Sequence, residues 1–452
     1  MIELKGKKAL VIGLGRSGLG SALLLRRLGA SVSVTDKKDR DSLRQYIDAL
    51  PPDVGLYLGG HPKEALDGVS LLVISPGVPS DIEIIRVARS KGIEIIGELE
   101  LAFSISRPAP FYAITGTNGK STTTTLLNFM FQKAGLMTLF GGNIGKAIST
   151  EILSAWDSKR DFSSCIVEVS SFQLEETKTF KPRGAAILNI TPDHMDRYHS
   201  MERYLEAKAR IFVNQDAGDF LILNKDDEGS KEILLKDIRS RVYFFSRRSE
   251  VAGLYLKGKT IYQNIGALRP LIDIDEIRIK GVHNLENAMA ASAMALLAGL
   301  PEDSIREALR EFKGLEHRAE FVRELDGVVY INDSKGTNVG AVLKCLEGLD
   351  RPTVLIAGGR DKDGDFTSLR RLVKEKVRAV VLIGEAREKL RTALQGAAEC
   401  VLADTLEDAV RTARGLAPKG GAVLLSPACA SFDMFRDYEE RGRRFKEAVM
   451  AL

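Results

Sequence analysis

Along this chain, apolar runs of strand length alternate with stretches whose apolar residues recur every three or four positions, and the alternation continues from one end to the other. The run Ala9 to Leu14 reads as a strand, "LGSALLLRRLGA" as the helix after it, and "SVSVTD" as a second strand closing on Asp36. "LLVISPGV", the helical "DIEIIRVARSKG" and the short strand "IEIIG" complete a first unit; "SRPAP" then breaks the pattern before a new strand, "FYAIT". A long middle region holds strands "SCIVEVS", "AAILNI" and "FLILN", then helices over "NLENAMAASAMALLAGL" and from "PEDSIREALREF", and ends near Gly314. The last third repeats the alternation through "VVYIND", "TVLIAGG", "AVVLIG" and "AVLLSPAC". It closes on a charged helix, "DYEERGRRFKEAVMAL", which reads as a solvated face. Strands separated by helices predict parallel sheets covered by helices in every domain. The breaks divide the chain into domains at 1–97, 98–314 and 315–452.

A length of 452 residues suits about three domains, each able to bury its own core. Apolar residues at 44% and charged residues at 28% are ordinary for a globular protein, and a formal charge of +4 is too slight to predict a nucleic-acid surface. The basic start "MIELKGKK" is followed by too few apolar residues for a signal-peptide core, and no apolar run reaches membrane-spanning length. A cytoplasmic protein with no membrane insertion is therefore expected. Cys165, Cys345, Cys400 and Cys429 are far apart with no C-x-x-C, which argues against a disulfide framework or a zinc cluster and predicts small buried thiols.

Two glycine-rich turns carry candidate chemistry. In "VIGLGRSGLG", Gly13, Gly15 and Gly18 have the G-x-G-x-x-G spacing between a first strand and a first helix, as in Rossmann-like dinucleotide-binding units. Such a turn serves a pyrophosphate or simply tight backbone geometry, so a nicotinamide cofactor is one reading among others. In "FYAITGTNGKSTTTTLL" a buried strand runs into Gly116, Thr117, Asn118, Gly119, Lys120, Ser121 and Thr122 and at once into a helix. Glycines let backbone N–H groups converge on phosphate oxygens and the helix N-terminus adds roughly half a positive charge. Lys120 adds a full charge, and the Ser121 hydroxyl can ligate magnesium. The spacing G-x-x-G-K-S is two residues shorter than the common phosphate-loop form, which leaves the type of nucleotide domain open.

Magnesium needs ligands beyond one serine, and Glu168 in "IVEVSSFQLE" and His194 in "NITPDHMDRY" stand at the ends of the next strands, where open α/β sheets bind ligands. A surface carboxylate and a hydrogen-bonded loop histidine are the alternatives. In "MERYLEAKARIFV", Leu205, Ile211 and Phe212 fall three before, three after and four after Lys208, so on helical spacing its side chain leaves the buried face. Either its stem packs while the ammonium reaches water, or the ammonium has a partner inside.

Taken in order, "GTNGKST", "EVSSFQLE", "NITPDHMDRY", "YLEAKARIF", "GVHNLENAMAA", "GLEHR", "NDSKGTN" and "GGRDKDGDF" resemble the Mur ligases of bacterial cell-wall synthesis over essentially the whole chain. The glycine-rich first unit together with "SPACASFDMFRDYEERGRRF" is most similar to the members that add D-glutamate to UDP-N-acetylmuramoyl-L-alanine. The resemblance implies an α/β protein of three domains: a Rossmann-like N-terminal domain for the uridine nucleotide, a central phosphate-loop ATP-binding domain and a Rossmann-like C-terminal domain for the amino acid. It implies that Gly15, Arg16, Ser17, Gly18 and Asp36, with Asn143 of "GGNIG", hold the UDP substrate. ATP is expected on Gly116 to Thr122, Asn287, Arg318 and Asp333, and D-glutamate on Lys335, Thr337, Lys362, Ser431 and Tyr438. Ser121 and Glu168 would serve one magnesium ion, His194 and a carbamylated Lys208 a second, with Lys120, Glu168, His194 and Lys208 as the catalytic set. The implied reaction moves the γ-phosphate of ATP to the substrate carboxylate, and the amine then attacks the acyl phosphate, releasing ADP and phosphate. A monomer acting on small molecules is expected. Folylpolyglutamate synthase shares the ATP chemistry but does not account for the first unit. A nicotinamide-dependent dehydrogenase leaves the loop at Gly116 unexplained, and a nucleotide-binding regulatory module leaves the metal and carboxylate-recognition candidates unexplained.

Overall fold

The alternation folds into three twisted sheets in a computed structural model that describes residues 4–106, 109–349 and 351–452. The first three residues of "MIELKGKK", and Arg107 and Pro108 of the "SRPAP" break, lie outside the described residues. The first sheet runs β3-β2-β1-β4-β5, with β1 (Lys8–Ile12), β2 (Ser31–Asp36), β3 (Gly55–Leu58), β4 (Val69–Ile74) and β5 (Glu94–Gly97), all parallel. Helices on both faces bury Leu10, Val11 and Ile12 completely, which is why β1 is apolar at successive positions rather than at alternate ones. β2 and β3 lie on one side of β1 and the chain then crosses from β3 to β4 on the other, so the glycine-rich turn leaves β1 where the order reverses.

The second sheet runs β14-β13-β12-β11-β10-β9-β6-β8-β7. Its strands are β6 (Phe111–Thr115), β7 (Thr138–Gly142), β8 (Ser164–Glu168), β9 (Gly184–Ile187), β10 (Phe220–Asn224), β11 (Arg241–Ser246), β12 (Gly253–Lys257), β13 (Thr260–Ile265) and β14 (Ala267–Asp273). The third runs β15-β16-β20-β17-β18-β19, from β15 (Glu320–Leu325), β16 (Val328–Asn332), β17 (Thr353–Gly358), β18 (Val377–Ile383), β19 (Glu399–Leu402) and β20 (Ala422–Leu425). The α/β class and three-sheet layout agree with the sequence pattern, but the sheets are not parallel throughout. β12, β13 and β14 pair antiparallel, as do β15 and β16. The last pair is joined by Asp326 (φ +54°) and Gly327 (φ +78°), a two-residue turn whose left-handed residues match the twist of a hairpin.

Contacts divide the chain into two units: residues 1–190, 200–273 and 288–308 in one, and 191–199, 274–287 and 309–452 in the other. Within the first unit, the helix Glu98–Ile105 braces the first sheet against the second. Its Glu100 accepts the backbone N–H groups of Lys178, Thr179 and Phe180, and Phe103 packs edge-on against Phe111 and Phe180. Among the described residues no helix is long and apolar enough to cross a membrane.

Candidate active site

β6 is buried at every position, and the chain leaves it through Gly116 (φ +148°) to Gly119 (φ +85°), which opens the helix Lys120–Lys133. Glycine reaches these angles at no steric cost, which is why both ends of the loop carry it. Asn189, just beyond β9, holds the loop from outside. Its backbone carbonyl accepts Thr117 N–H at 2.9 Å, its side-chain oxygen accepts Asn118 N–H at 2.8 Å, and its amide donates to the Asn118 carbonyl at 3.1 Å. Lys120 folds back over the loop and donates to the carbonyls of Gly116 and Thr117, both at 2.9 Å. Ser121 and Thr122 are buried in the first helical turn. First-turn N–H groups and an ammonium on one loop make an anion site.

Glu168 ends β8, which pairs with β6, and is 2% exposed. Its Oε1 accepts from the Asn143 amide at 2.6 Å, and its backbone carbonyl accepts Asn143 N–H at 2.9 Å, so the "GGNIG" turn and this carboxylate hold each other. Oε2 is buried with no hydrogen-bond partner among the described residues. A buried carboxylate oxygen in that state is costly unless a cation meets it, and with the Ser121 hydroxyl it supplies the hard donors magnesium prefers. Among the described residues no three His, Cys, Asp or Glu side chains gather around a metal position; the expected ligand set contains only two residues of those types, Glu168 and His194.

Lys208 lies on the helix Met201–Ala209 and is 1% exposed. Its Nζ donates to the Gly116 carbonyl at 3.0 Å and stands 4.5 Å from the centre of the Tyr204 ring, whose hydroxyl is 3.3 Å from Thr117 Oγ1. The lysine is therefore inward, though for a different reason than helical spacing: the helix ends at Ala209, before Ile211 and Phe212, and Lys208 is buried against the phosphate loop. Two amines, of Lys120 and Lys208, converge on one carbonyl oxygen.

The first turn is as tight as its glycines require, since a Cβ on Gly18 would lie 1.9 Å from the Gly13 carbonyl oxygen. Asp36 braces it: Oδ2 accepts Leu14 N–H at 2.7 Å and Oδ1 accepts Lys38 N–H at 2.9 Å. Gly15 and Ser17 are half-buried at the start of the helix Arg16–Arg27, and Arg16 donates to the Gly145 carbonyl at 3.0 Å, tying this turn to the "GGNIG" segment.

In the second unit, His194 (φ +56°) donates its N–H to Asp193 Oδ1 at 3.0 Å, and Asn338 donates to the same carboxylate at 3.2 Å. His194 thus groups with the second unit, whereas Ser121, Glu168 and Lys208 belong to the first. Asn287 is buried, its amide 3.4 Å from Asn284 Oδ1. Asp333, just past β16, accepts from Ser426 Oγ at 2.7 Å and Ala319 N–H at 3.2 Å; burial pushes its carboxyl up to about 6, against the pull of those bonds and of the Arg318 charge. Lys335 places Nζ 3.6 Å from the centre of the Tyr438 ring, which brings together two of the residues expected around an amino acid. Thr337 is half-buried beside them, its N–H donating to the Lys335 carbonyl at 2.8 Å. Ser431 is buried and Lys362 exposed, and Arg360 and Ala430 exchange two backbone hydrogen bonds that set their segments side by side.

Family models match in the same order: the Mur ligase MurD-like N-terminal domain over residues 7–97, the Mur ligase middle domain over 114–295 and the Mur ligase glutamate ligase domain over 317–429. Two curated relatives, each named UDP-N-acetylmuramoylalanine--D-glutamate ligase, align along their length. That of Thermoanaerobacter pseudethanolicus is 46% identical over 100% of both chains, and that of Geotalea daltonii is 47% identical over 100% of this chain and 99% of its own. The chain belongs to the Mur ligase family. The fold is shared with the solved UDP-N-acetylmuramate-alanine ligase MurC of Thermotoga maritima (TM-score 0.61, 19% identity, 98% of this chain and 99% of that one). It is also shared with Escherichia coli FolC (TM-score 0.57, 17% identity, 78% and 92%).

This Mur ligase also relies on residues that stand inside the quoted motifs but were given no role there. Asn189 of "NITPDHMDRY" is one. His317 (φ +63°) is another: its ring Nδ1 is 2.9 Å from the Asn332 amide, and its carbonyl accepts Lys335 N–H at 3.0 Å. The ring sits over Gly442, where a Cβ would lie 2.2 Å from Nδ1; a glycine inside a charged helix was the available signal. That final helix, Tyr438–Met450, is not simply a solvated face, because Arg441, Phe445 and Val449 are buried along it.

Proposed function

We propose that this Mur ligase joins D-glutamate to UDP-N-acetylmuramoyl-L-alanine in peptidoglycan synthesis, converting ATP to ADP and phosphate. The similarity along the whole chain to enzymes of that name carries the substrate reading, and the Lys120 loop supports the ATP half. A carboxylate does not react with an amine at neutral pH. The γ-phosphate therefore moves to the substrate carboxylate first, and the amine of D-glutamate displaces phosphate from the acyl phosphate. Lys120 and the first turn of its helix offset the repulsion between the two approaching anions. Bound magnesium would neutralise phosphate charge, and Ser121 with the partnerless oxygen of Glu168 would hold it.

Lys208 is assigned as a carbamate. Two ammonium groups on the Gly116 carbonyl repel each other in a buried place. Carbon dioxide adding to the neutral Lys208 amine, with loss of a proton, gives an anion that attracts Lys120 and offers oxygens to a second magnesium ion, to which His194 is also assigned by resemblance. Gly15, Arg16, Ser17, Gly18, Asp36 and Asn143 are assigned to the uridine substrate, and Gly116 to Thr122, Asn287, Arg318 and Asp333 to ATP. Lys335, Thr337, Lys362, Ser431 and Tyr438 supply the cations and hydroxyls that a dicarboxylate calls for. In this reading 1–97, 98–314 and 315–452 bind the uridine nucleotide, ATP and the amino acid in turn, in a cytoplasmic monomer. With the muramoyl nucleotide and ATP present, D-glutamate should stimulate phosphate release, while L-lysine and diaminopimelate should not. Equal stimulation by diaminopimelate overturns the reading.

A further inference from the structure

Arg441, on the helix Tyr438–Met450, is 1% exposed, and no ion pair among the described residues includes it. Its acceptors are hydroxyl and carbonyl oxygens. Nε donates to Ser334 Oγ at 3.0 Å, Nη2 to the Ser334 carbonyl at 2.9 Å and the Cys429 carbonyl at 3.3 Å, and Nη1 to the carbonyls of Cys429 at 3.3 Å and Ala430 at 3.4 Å. Burial pulls the guanidinium down to about 10, which leaves it charged at neutral pH. The Asp433 and Asp333 charges favour it from a distance, but a buried charge that contacts no carboxylate is expensive, so its retention asks what the five-donor fork holds.

It holds two segments that leave neighbouring strands. Ser334 follows β16 and is next to Lys335; Cys429 and Ala430 follow β20 and precede Ser431. Between β20 and Ser431 lies Ala428 at φ +60°, a left-handed conformation that a residue with a Cβ adopts only when its surroundings enforce it. Ala428 N–H donates to the Gly336 carbonyl at 2.9 Å, which ties the strained turn to the segment carrying Lys335 and Thr337. Arg441 takes the next two carbonyls after Ala428, and Ser334 Oγ in turn donates to the Tyr438 carbonyl at 2.8 Å.

We infer that Arg441 is a positioning residue for the amino-acid site: its fork clamps the carbonyls after the strained Ala428 turn to Ser334, and so sets the separation of Ser431 from Lys335. The inference rests on the D-glutamate reading above. Groups held at a fixed separation bind a dicarboxylate without paying to order two loops first. Lysine at position 441 would keep the charge but offer one ammonium in place of the planar fork.

The test is steady-state kinetics on the full chain with each substrate varied in turn. Arg441→Lys should raise the KM for D-glutamate about tenfold, while the KM values for ATP and the muramoyl nucleotide stay within about twofold. Adding Ala428→Gly should recover part of that rise, because glycine reaches φ +60° unaided. Ser334→Ala, which removes one acceptor and leaves the arginine, should raise the same KM by a smaller factor, and it decides the matter if Arg441→Lys does not fold. An unchanged KM for D-glutamate, or a parallel rise in all three values, overturns the inference. If the unaltered enzyme answers to a different amino acid, the substrate reading fails instead, and the same comparison run with that amino acid still tests Arg441.

Discussion

Lys120 and Lys208 illustrate how much a single side chain's neighbours decide. Both reach the Gly116 carbonyl, at 2.9 and 3.0 Å, yet only Lys120 lies in a recognisable loop motif. Its Nζ donates to the carbonyls of its own loop, so Lys120→Ala should leave the melting temperature within about two degrees while removing about 3 kcal/mol of transition-state stabilisation, a hundredfold or more in rate. Phosphate release and thermal melting check both halves, and normal turnover would refute the phosphate-loop reading. For Lys208, carbon-13 NMR of enzyme equilibrated with labelled carbon dioxide should show a carbamate signal that is lost in Lys208→Ala. That variant should be inactive and partly restored by formate or acetate. An unmodified Lys208 in a fully active enzyme would sink the assignment. Leu205 and its neighbours pointed to an inward lysine, but the acceptor, a carbonyl 92 residues earlier in the chain, could not be read from local spacing.

At the scale of elements, the glycine of the final helix makes the sharpest case. Gly442 leaves room for the His317 ring, whose nearest atom would lie 2.2 Å from an added Cβ. Gly442→Ala should therefore cost about 1–3 kcal/mol by overpacking, read as a lower urea midpoint. In a His317→Ala background the same change should cost nothing or stabilise the helix, since alanine is the better helix former and the clash is gone. Equal costs in both backgrounds would mean that the ring is not what the glycine accommodates. The strands and helices around this contact were legible as alternating periodicities. The antiparallel β15–β16 pair was not anticipated, although its Asp326-Gly327 turn stands in the sequence, because β15 reads EFVREL, too charged to stand out as an apolar run, and was not read as a strand.

At the scale of the whole molecule, two groups of the second unit, buried Asp333 and half-buried His283, pull its acid stability in opposite directions. Asp333, raised to about 6 chiefly by burial, is protonated in the fold at pH values where the unfolded chain has already ionised near 3.8; its contribution is present below that value and is lost as pH rises through 6. His283 is lowered from 6.5 to about 4, first by burial and then by the Lys344 charge, so its contribution is present above 6.5 and is lost as pH falls through 4. Each shift is worth about 3 kcal/mol, and over pH 4 to 6 they largely offset each other. Urea titrations should show Asp333→Asn gaining stability more steeply than the unaltered protein as pH rises across that window, and His283→Gln losing it. Parallel pH profiles for all three proteins would show that neither group is buried as described. Sequence by itself determined the α/β class, the order of the elements and the family, because periodicity and ordered motifs are properties of contiguous residues. Tertiary structure alone decided that Glu168 keeps a buried oxygen without a hydrogen-bond partner, that Asp36 spends its carboxylate on the N–H groups of Leu14 and Lys38, and that Arg441 lies inside a helix that reads as surface. Burial and hydrogen bonding at these positions depend on groups brought from distant parts of the chain, and no local pattern records which groups those are.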